Sequence, residues 1–315
     1  MLFHGNSRRV VLLLVAFVLV LIGVVMVAFQ SGFLTYSNPS NASDYTEVAS
    51  AIDAYLQSEE VVYVRIATTT PEDKENATSS YEMLPIEPVL FEYIEVTGGC
   101  GPHFEGECLN VRSGPGIEYD VQRQLRNGIV LKVGGRVARD GQMWYKIIFD
   151  EWLRYPERLE GDWYVRSDYV EVLYDEGDKT TWEDGAPTTT EKKILVSRTN
   201  QTLKAYEGDV LVLEASISTG LEMTPTPLGT FSVFKKTPSR YMQGPLPNLA
   251  DKQVYDLPGV PWNLYFTHGG AVIHGAYWHD SFGTKYSHGC VNLPVDIARS
   301  LYNWAELGTV VVVVD

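Results

Sequence analysis

Residues 10–29 form an unbroken apolar run, directly preceded by Arg8 and Arg9. A run of that length can cross a bilayer as a helix, and basic residues before it favour an N-terminus kept inside. A cleaved signal peptide would have a shorter apolar core and a small-residue cleavage site. The pattern therefore predicts a cytoplasmic tip and a retained transmembrane anchor within residues 1–34, with the rest of the chain outside the cytoplasm. Residues 35–43 are polar and read as a tether. Apolar positions at helical spacing (Val48, Ile52, and Tyr55 or Leu56) predict a helix over residues 44–57. Residues 61–67 read as a strand and residues 68–80, polar and acidic, as a loop, so 35–91 is expected to be a tether and a small α/β region.

Beyond residue 92 the apolar stretches shorten and are punctuated by Gly and Pro, which suits short strands in a small closed barrel up to about residue 173. Residues 150–160 lengthen one loop of that pattern, and residues 174–191, rich in acid, Thr and Gly, read as a linker. From residue 192 onward the pattern is again mainly β. Residues 194–197, 202–206 and 210–213 are short strands, with Asn200-Gln201 and Glu207-Gly208-Asp209 at the turns. Residues 295–307 predict the main helix, with Ile297, Leu301 and Trp304 or Ala305 inward and Pro294 suited to its first turn. Residues 309–314 are apolar on both faces and predict a central strand.

Charge and cysteine content narrow the functional classes. The chain has 315 residues and a formal net charge of −15, and the acid concentrates between residues 31 and 191. No basic patch suggests nucleic acid as a partner. Acidic surface is repelled by anionic headgroups, so this middle part is expected to stand away from a membrane. Of three cysteines, Cys100 and Cys108 are close enough to pair, which leaves Cys290 as a free thiol. Closing the Cys100–Cys108 loop would contribute about 2–3 kcal/mol in an oxidising compartment. His103 between them hints at a metal knuckle instead, although no fourth ligand is visible.

The densest candidate chemistry is Ser287-His288-Gly289-Cys290-Val291-Asn292, downstream of Ile273-His274-Gly275. A cysteine reacts as its thiolate, so it needs a base or a positive field nearby. Gly275 and Gly289 would let a substrate carbonyl approach the backbone, and the helix start after Pro294 would aim N–H dipoles at the thiol. A buried structural cysteine is the bland alternative. A zinc site from His274, His279, His288 and Cys290 is another, although its spacing matches no compact pattern.

These residues carry a family resemblance. The chain from about Lys192 resembles a YkuD-type L,D-transpeptidase catalytic domain, through its His-Gly, its Ser-His-Gly-Cys-Val-Asn, and Thr226-Pro227-Leu228-Gly229-Thr230-Phe231. The resemblance implies a β-sandwich with Cys290 as nucleophile and His274 as base. His288 and Gly289, with the Cys290 N–H, would form the oxyanion hole. Ala276 stands where the family often has a small hydroxyl residue, so a carbonyl near Gly275 would orient His274 instead. Tyr265, Phe266, Gly275, Ser287 and Asn292 would bind substrate or support the loop. Trp262, Tyr277 and Trp278 are aromatic neighbours that fit either a groove or a core. The implied partners are peptidoglycan stem peptides joined by 3→3 cross-links, without cofactor or metal, and the implied inhibitors are carbapenems. Residues 92–173 resemble a bacterial SH3-like domain, through Leu109-Asn110-Val111-Arg112-Ser113-Gly114-Pro115-Gly116, Trp144-Tyr145-Lys146-Ile147 and Asp162-Trp163-Tyr164-Val165. Such a domain fits wall binding or spacing equally. Transfer of the thioester to water (an L,D-carboxypeptidase) and a non-catalytic wall-binding protein are the competing readings.

Overall fold

The computed structural model describes residues 27–30, 33–36, 61–68, 80–181, 191–246 and 253–315. It divides into two units, Met1–Val61 and Val62–Asp315. In the first, β1 (Val27–Gln30) and β2 (Phe33–Tyr36) pair as an antiparallel hairpin. The predicted anchor lies outside the described residues except for its last three positions, Val27, Ala28 and Phe29, and these are extended rather than helical. Val27 and Phe29 favour a strand, and Ser31-Gly32 is a turn signal in the sequence. Among the described residues no helix is long and apolar enough to cross a membrane. The helix expected over 44–57 also lies outside them.

The N-terminal part of the second unit is one β-sheet assembly. Its strands are β3 (Val62–Thr68), β4 (Ser80–Pro88), β5 (Glu92–Val96), β6 (Leu109–Arg112), β7 (Val121–Leu125), β8 (Val130–Arg139), β9 (Gln142–Ile147), β10 (Trp163–Arg166) and β11 (Val170–Tyr174). The ladder runs β11-β5-β8-β9-β10-β6-β7, with β4 pairing both β3 and β8. Its end strands β11 and β7 do not pair with each other, so hydrogen bonding leaves the expected barrel open. The β3–β4 hairpin, expected in a separate α/β region, instead extends this sheet through Glu87↔Arg136 and Pro88↔Gly135. Alternation explains the core. Val111, Leu125, Leu131, Val133, Ile147 and Val165 point inward and are almost fully buried. Cys100 and Cys108 are joined by a disulfide beside β6.

The C-terminal part is a sandwich of two sheets. Its elements are β12 (Lys179–Thr180), β13 (Lys192–Ser197), β14 (Thr202–Glu207), β15 (Val210–Ser216), β16 (Gly229–Ser232), β17 (Lys235–Pro245), β18 (Val254–Tyr265), β19 (Val272–Gly275), β20 (Val291–Leu293), α1 (Val295–Trp304) and β21 (Val310–Val314). One sheet is ordered β12-β17-β18-β19-β20 and the other β15-β14-β13-β21-β16. The valine-rich β21 lies between β13, parallel, and β16, antiparallel, as its two apolar faces require. The helix ends sooner than its pattern, with Ala305 already extended. Ala298, Leu301, Tyr302 and Ala305 are buried, so the inward stripe is rotated from the expected one and Ile297 and Trp304 lie at its edge.

The expected linker begins as structure. Lys179 and Thr180 pair with Lys236 and Lys235 of β17, and Asp175 N–H donates to Phe91 O at 3.0 Å. The two parts of this unit also share apolar cores. Tyr93, Val130 and Leu173 cluster with sandwich residues, while Val260 and Tyr277 cluster with the core of the N-terminal sheet. Gly259, at φ +62°, lets the chains meet: a Cβ there would lie 2.5 Å from Val130 O.

Candidate active site

The parallel pairing of β19 with β20 builds the centre of the site. It sets Ile273 opposite Val291, His274 opposite Asn292 and Gly275 opposite Leu293. Ile273, Val291 and Leu293 face the sandwich core. Side chains alternate along a strand, so His274 and Asn292 project to the other face, and Cys290, two residues before Asn292, follows them.

His274 is buried, with Nδ1 3.0 Å from Gly275 O. A carbonyl only accepts, so Nδ1 carries the proton and Nε2 is left as a base. Burial lowers the imidazole to about 4, opposed by the Gly275 bond and reinforced by His279. Cys290 is a half-buried free thiol, with Sγ 3.8 Å from Gly270 O. Burial pushes the thiol up to about 11, and the backbone N–H of Val272 opposes this shift. Along the chain, β20 and the N-cap Pro294 stand between Cys290 and the first turn of α1. Burial thus favours the neutral form of both the thiol and the imidazole.

Hydroxyl groups hold the loop before β20. Ser287 Oγ donates to Cys290 O at 2.5 Å and accepts the Gly289 N–H at 3.2 Å. Thr226 Oγ1 donates to the same Cys290 carbonyl at 3.2 Å and accepts the Gly220 N–H at 3.0 Å. Gly289 has φ +120°, which L side chains rarely adopt. With its N–H taken by Ser287, Gly289 is not the amide available to an oxyanion. A groove of about 440 Å³ runs beside the loop, lined among others by Pro227, Phe231, Gly270, Ala271, His288 and Gly289. The exposed His288 ring stacks on Tyr255, with centroids 6.4 Å apart and planes 15° from parallel. Burial and the neighbouring Cys290 raise the Tyr255 hydroxyl above its usual range.

Three expected substrate contacts fall elsewhere. Phe266 is in the core, 5.5 Å from Phe231 between ring centroids. Tyr265 packs on Phe234 and the Lys235 ammonium, so neither residue lines the groove. Both sit on or just after a central strand whose packing claims aromatic side chains. Gly275 is small for a different reason: a Cβ there would meet Pro261 Cγ at 2.9 Å and Val295 Cα at 3.3 Å, where α1 crosses β19. Trp262 and Tyr277 are likewise core, whereas Trp278 lies 5.6 Å from the His274 ring. Asn292 meets His279 Nε2 at 2.9 Å, and the Ser281 N–H donates to His279 Nδ1 at 3.2 Å. Among the described residues no group of three or more His, Cys, Asp or Glu could hold a metal.

The sequence pointed to Thr226 as a motif position without a role, and gave no signal for Tyr255, which lies in a strand without a motif. The Val272 donor is backbone and has no residue signature.

Residues 191–313 match the L,D-transpeptidase catalytic domain (YkuD), and residues 108–182 match the bacterial SH3 domain. A Bacillus licheniformis protein that carries the YkuD L,D-transpeptidase name is 30% identical over 112 residues, covering 34% of this chain and 56% of that protein. The chain thus spans about half the length of this curated relative. Among solved structures, the catalytic domain of an E. faecium L,D-transpeptidase is 29% identical, covering 40% of this chain and 99% of that one, with a TM-score of 0.35. An L,D-transpeptidase from Mycobacterium smegmatis is 18% identical, covering 73% and 100%, with a TM-score of 0.38.

Proposed function

We propose that this chain is a cysteine acyltransferase, an L,D-transpeptidase that forms 3→3 cross-links between peptidoglycan stem peptides. The observation that carries the reading is the His274–Cys290 centre: a tautomer-fixed buried imidazole and a free thiol on one sheet face, beside an open groove. Cys290 Sγ attacks the amide carbon after the third residue of a stem tetrapeptide. Its proton passes to His274 Nε2 and then to the departing D-alanine amine. The Cys290 N–H, with the His288 loop around it, faces the oxyanion. The thioester keeps its acyl energy, so the side-chain amine of another stem can capture it without ATP, giving its proton back through His274.

The low basicity of His274 and the high pKa of Cys290 suit transfer within a substrate complex, where binding excludes water, better than a standing ion pair. The apolar run beginning at Val10 serves as the membrane anchor in this reading. The Cys100–Cys108 disulfide supports an oxidising compartment for the domains that follow.

Incubation of the chain with defined disaccharide tetrapeptides, followed by chromatography of the products, tests the assignment. Cross-linked dimers that vanish in Cys290→Ala are expected. Tripeptides alone would mean that water takes the acyl group, and equal activity in Cys290→Ala would remove Cys290 as nucleophile.

A further inference from the structure

The β17–β18 hairpin pairs from Lys235↔Tyr265 to Pro245↔Val254, with a register shift between Arg240 and Met242 that leaves Tyr241 unpaired in the ladder. Near its far end Tyr255 stacks on His288. Gly244, opposite Tyr255, makes room for that ring: a Cβ there would lie 2.3 Å from the Tyr255 hydroxyl. The hairpin therefore packs on the Ser287–Cys290 loop through Tyr255 and His288.

The N-terminal sheet holds that hairpin from outside the catalytic domain. From β7, Arg123 donates to the Tyr241 hydroxyl at 2.9 Å and to Asp256, the neighbour of Tyr255, at 3.0 Å. From the inserted loop at residues 150–160, Glu151 accepts the Tyr241 N–H at 2.7 Å and pairs with Arg240. Gln243 accepts the Tyr155 N–H at 2.9 Å, and Arg158 reaches Asp256 at 3.4 Å. Trp163 and Phe149 pack on the Tyr241 ring. The two carboxylates are largely out of water: the Asp256 side chain is 11% exposed and that of Glu151 18%. Each side supplies charges of both signs, Arg123, Arg158 and Glu151 against Asp256 and Arg240. Removing one partner while the two parts stay docked would leave a buried charge unmatched. A free spacer on a linker has no need of such an arrangement.

We propose that the SH3-like domain is a clamp that fixes the hairpin against the Ser287–Cys290 loop, with Arg123 and Glu151 as positioning residues for the acyl donor. The kinetic part of this proposal rests on the transpeptidase reading above; the mechanical part does not.

The test uses the full chain and Arg123→Ala. Amide hydrogen exchange, read without substrate, is expected to quicken roughly tenfold or more in 235–245 and 254–265, with β13 and β14 unchanged, because charge-assisted bonds to buried partners are lost. In turnover, KM for a stem tetrapeptide is expected to rise roughly tenfold with kcat falling less, since positioning rather than chemistry is disturbed. Arg123→Lys, which keeps the charge, should recover part of both effects. Glu151→Gln, nearly isosteric, gives the same readouts should Arg123→Ala fail to fold. Wild-type exchange rates in the hairpin of a folded variant, with KM unchanged, would overturn the clamp. A wild-type chain that takes up no acyl group would overturn the transpeptidase reading while the exchange data still decide the clamp.

Discussion

At the level of single residues, burial sets both ionisations at the reacting centre. It lowers His274 to about 4 and raises Cys290 to about 11, which favours the neutral form of each group. Orientation must then come from bonds rather than charge, and the Cys290 carbonyl is pinned by Ser287 and Thr226 together. Removing either hydroxyl leaves one tether. Ser287→Ala and Thr226→Val are each expected to lower kcat/KM roughly fivefold, the scale of one net hydrogen bond of about 1 kcal/mol. The double variant should lose more than the sum of the two, because the first loss is sheltered by the second tether. Steady-state kinetics of the three variants checks this; additive losses would show that the two hydroxyls act separately.

At the level of elements, β19 and the segment after it contribute a pH response through two buried histidines. His274 and His279 are buried, and burial lowers each to about 4 from 6.5. The unfolded chain takes up their protons as pH falls through 6.5, whereas the folded chain does so only near 4. Stability is therefore complete above pH 6.5 and lost as pH falls towards 4, by at most about 3 kcal/mol for each histidine. His279→Gln should remove one share of this loss, measured by urea unfolding at pH 7 and pH 4.5; an unchanged difference would contradict it. The elements also show where sequence reasoning reaches. Alternation and turn residues located β13, β14, β15 and β21, because strand patterning is local. Tyr265 and Phe266 were misplaced because the sequence says that a residue is aromatic, not which face a neighbouring strand leaves open.

For the whole molecule, the sharing of cores was the least legible feature. The Ser-His-Gly-Cys segment and its upstream His-Gly are short local patterns, so they stand out in the sequence alone. The union of the SH3-like and catalytic parts depends on scattered contacts, Gly259 on Val130 and Tyr277 beside the N-terminal core, that no local pattern announces. Residues 174–191 read as linker because their composition is acidic and turn-rich, yet β12, within them, pairs with β17. Cutting between the two parts would expose Val260 and Tyr277, at roughly 1.5–3 kcal/mol for each large apolar side chain. Residues 191–315 alone are thus expected to melt at least several degrees below the full chain in a thermal scan. Equal melting temperatures would show that the shared clusters add nothing.

The central claim is a thioester on Cys290, and intact-mass spectrometry of the full chain in detergent tests it most directly. After brief incubation with a stem tetrapeptide or a carbapenem, the account predicts one covalent adduct per chain, located to Cys290 by peptide mapping and absent from Cys290→Ala. For the tetrapeptide the added mass should be that of the tripeptide acyl group, with D-alanine released. A folded, reduced chain that gains no mass from either compound, or gains it equally in Cys290→Ala, would contradict the account.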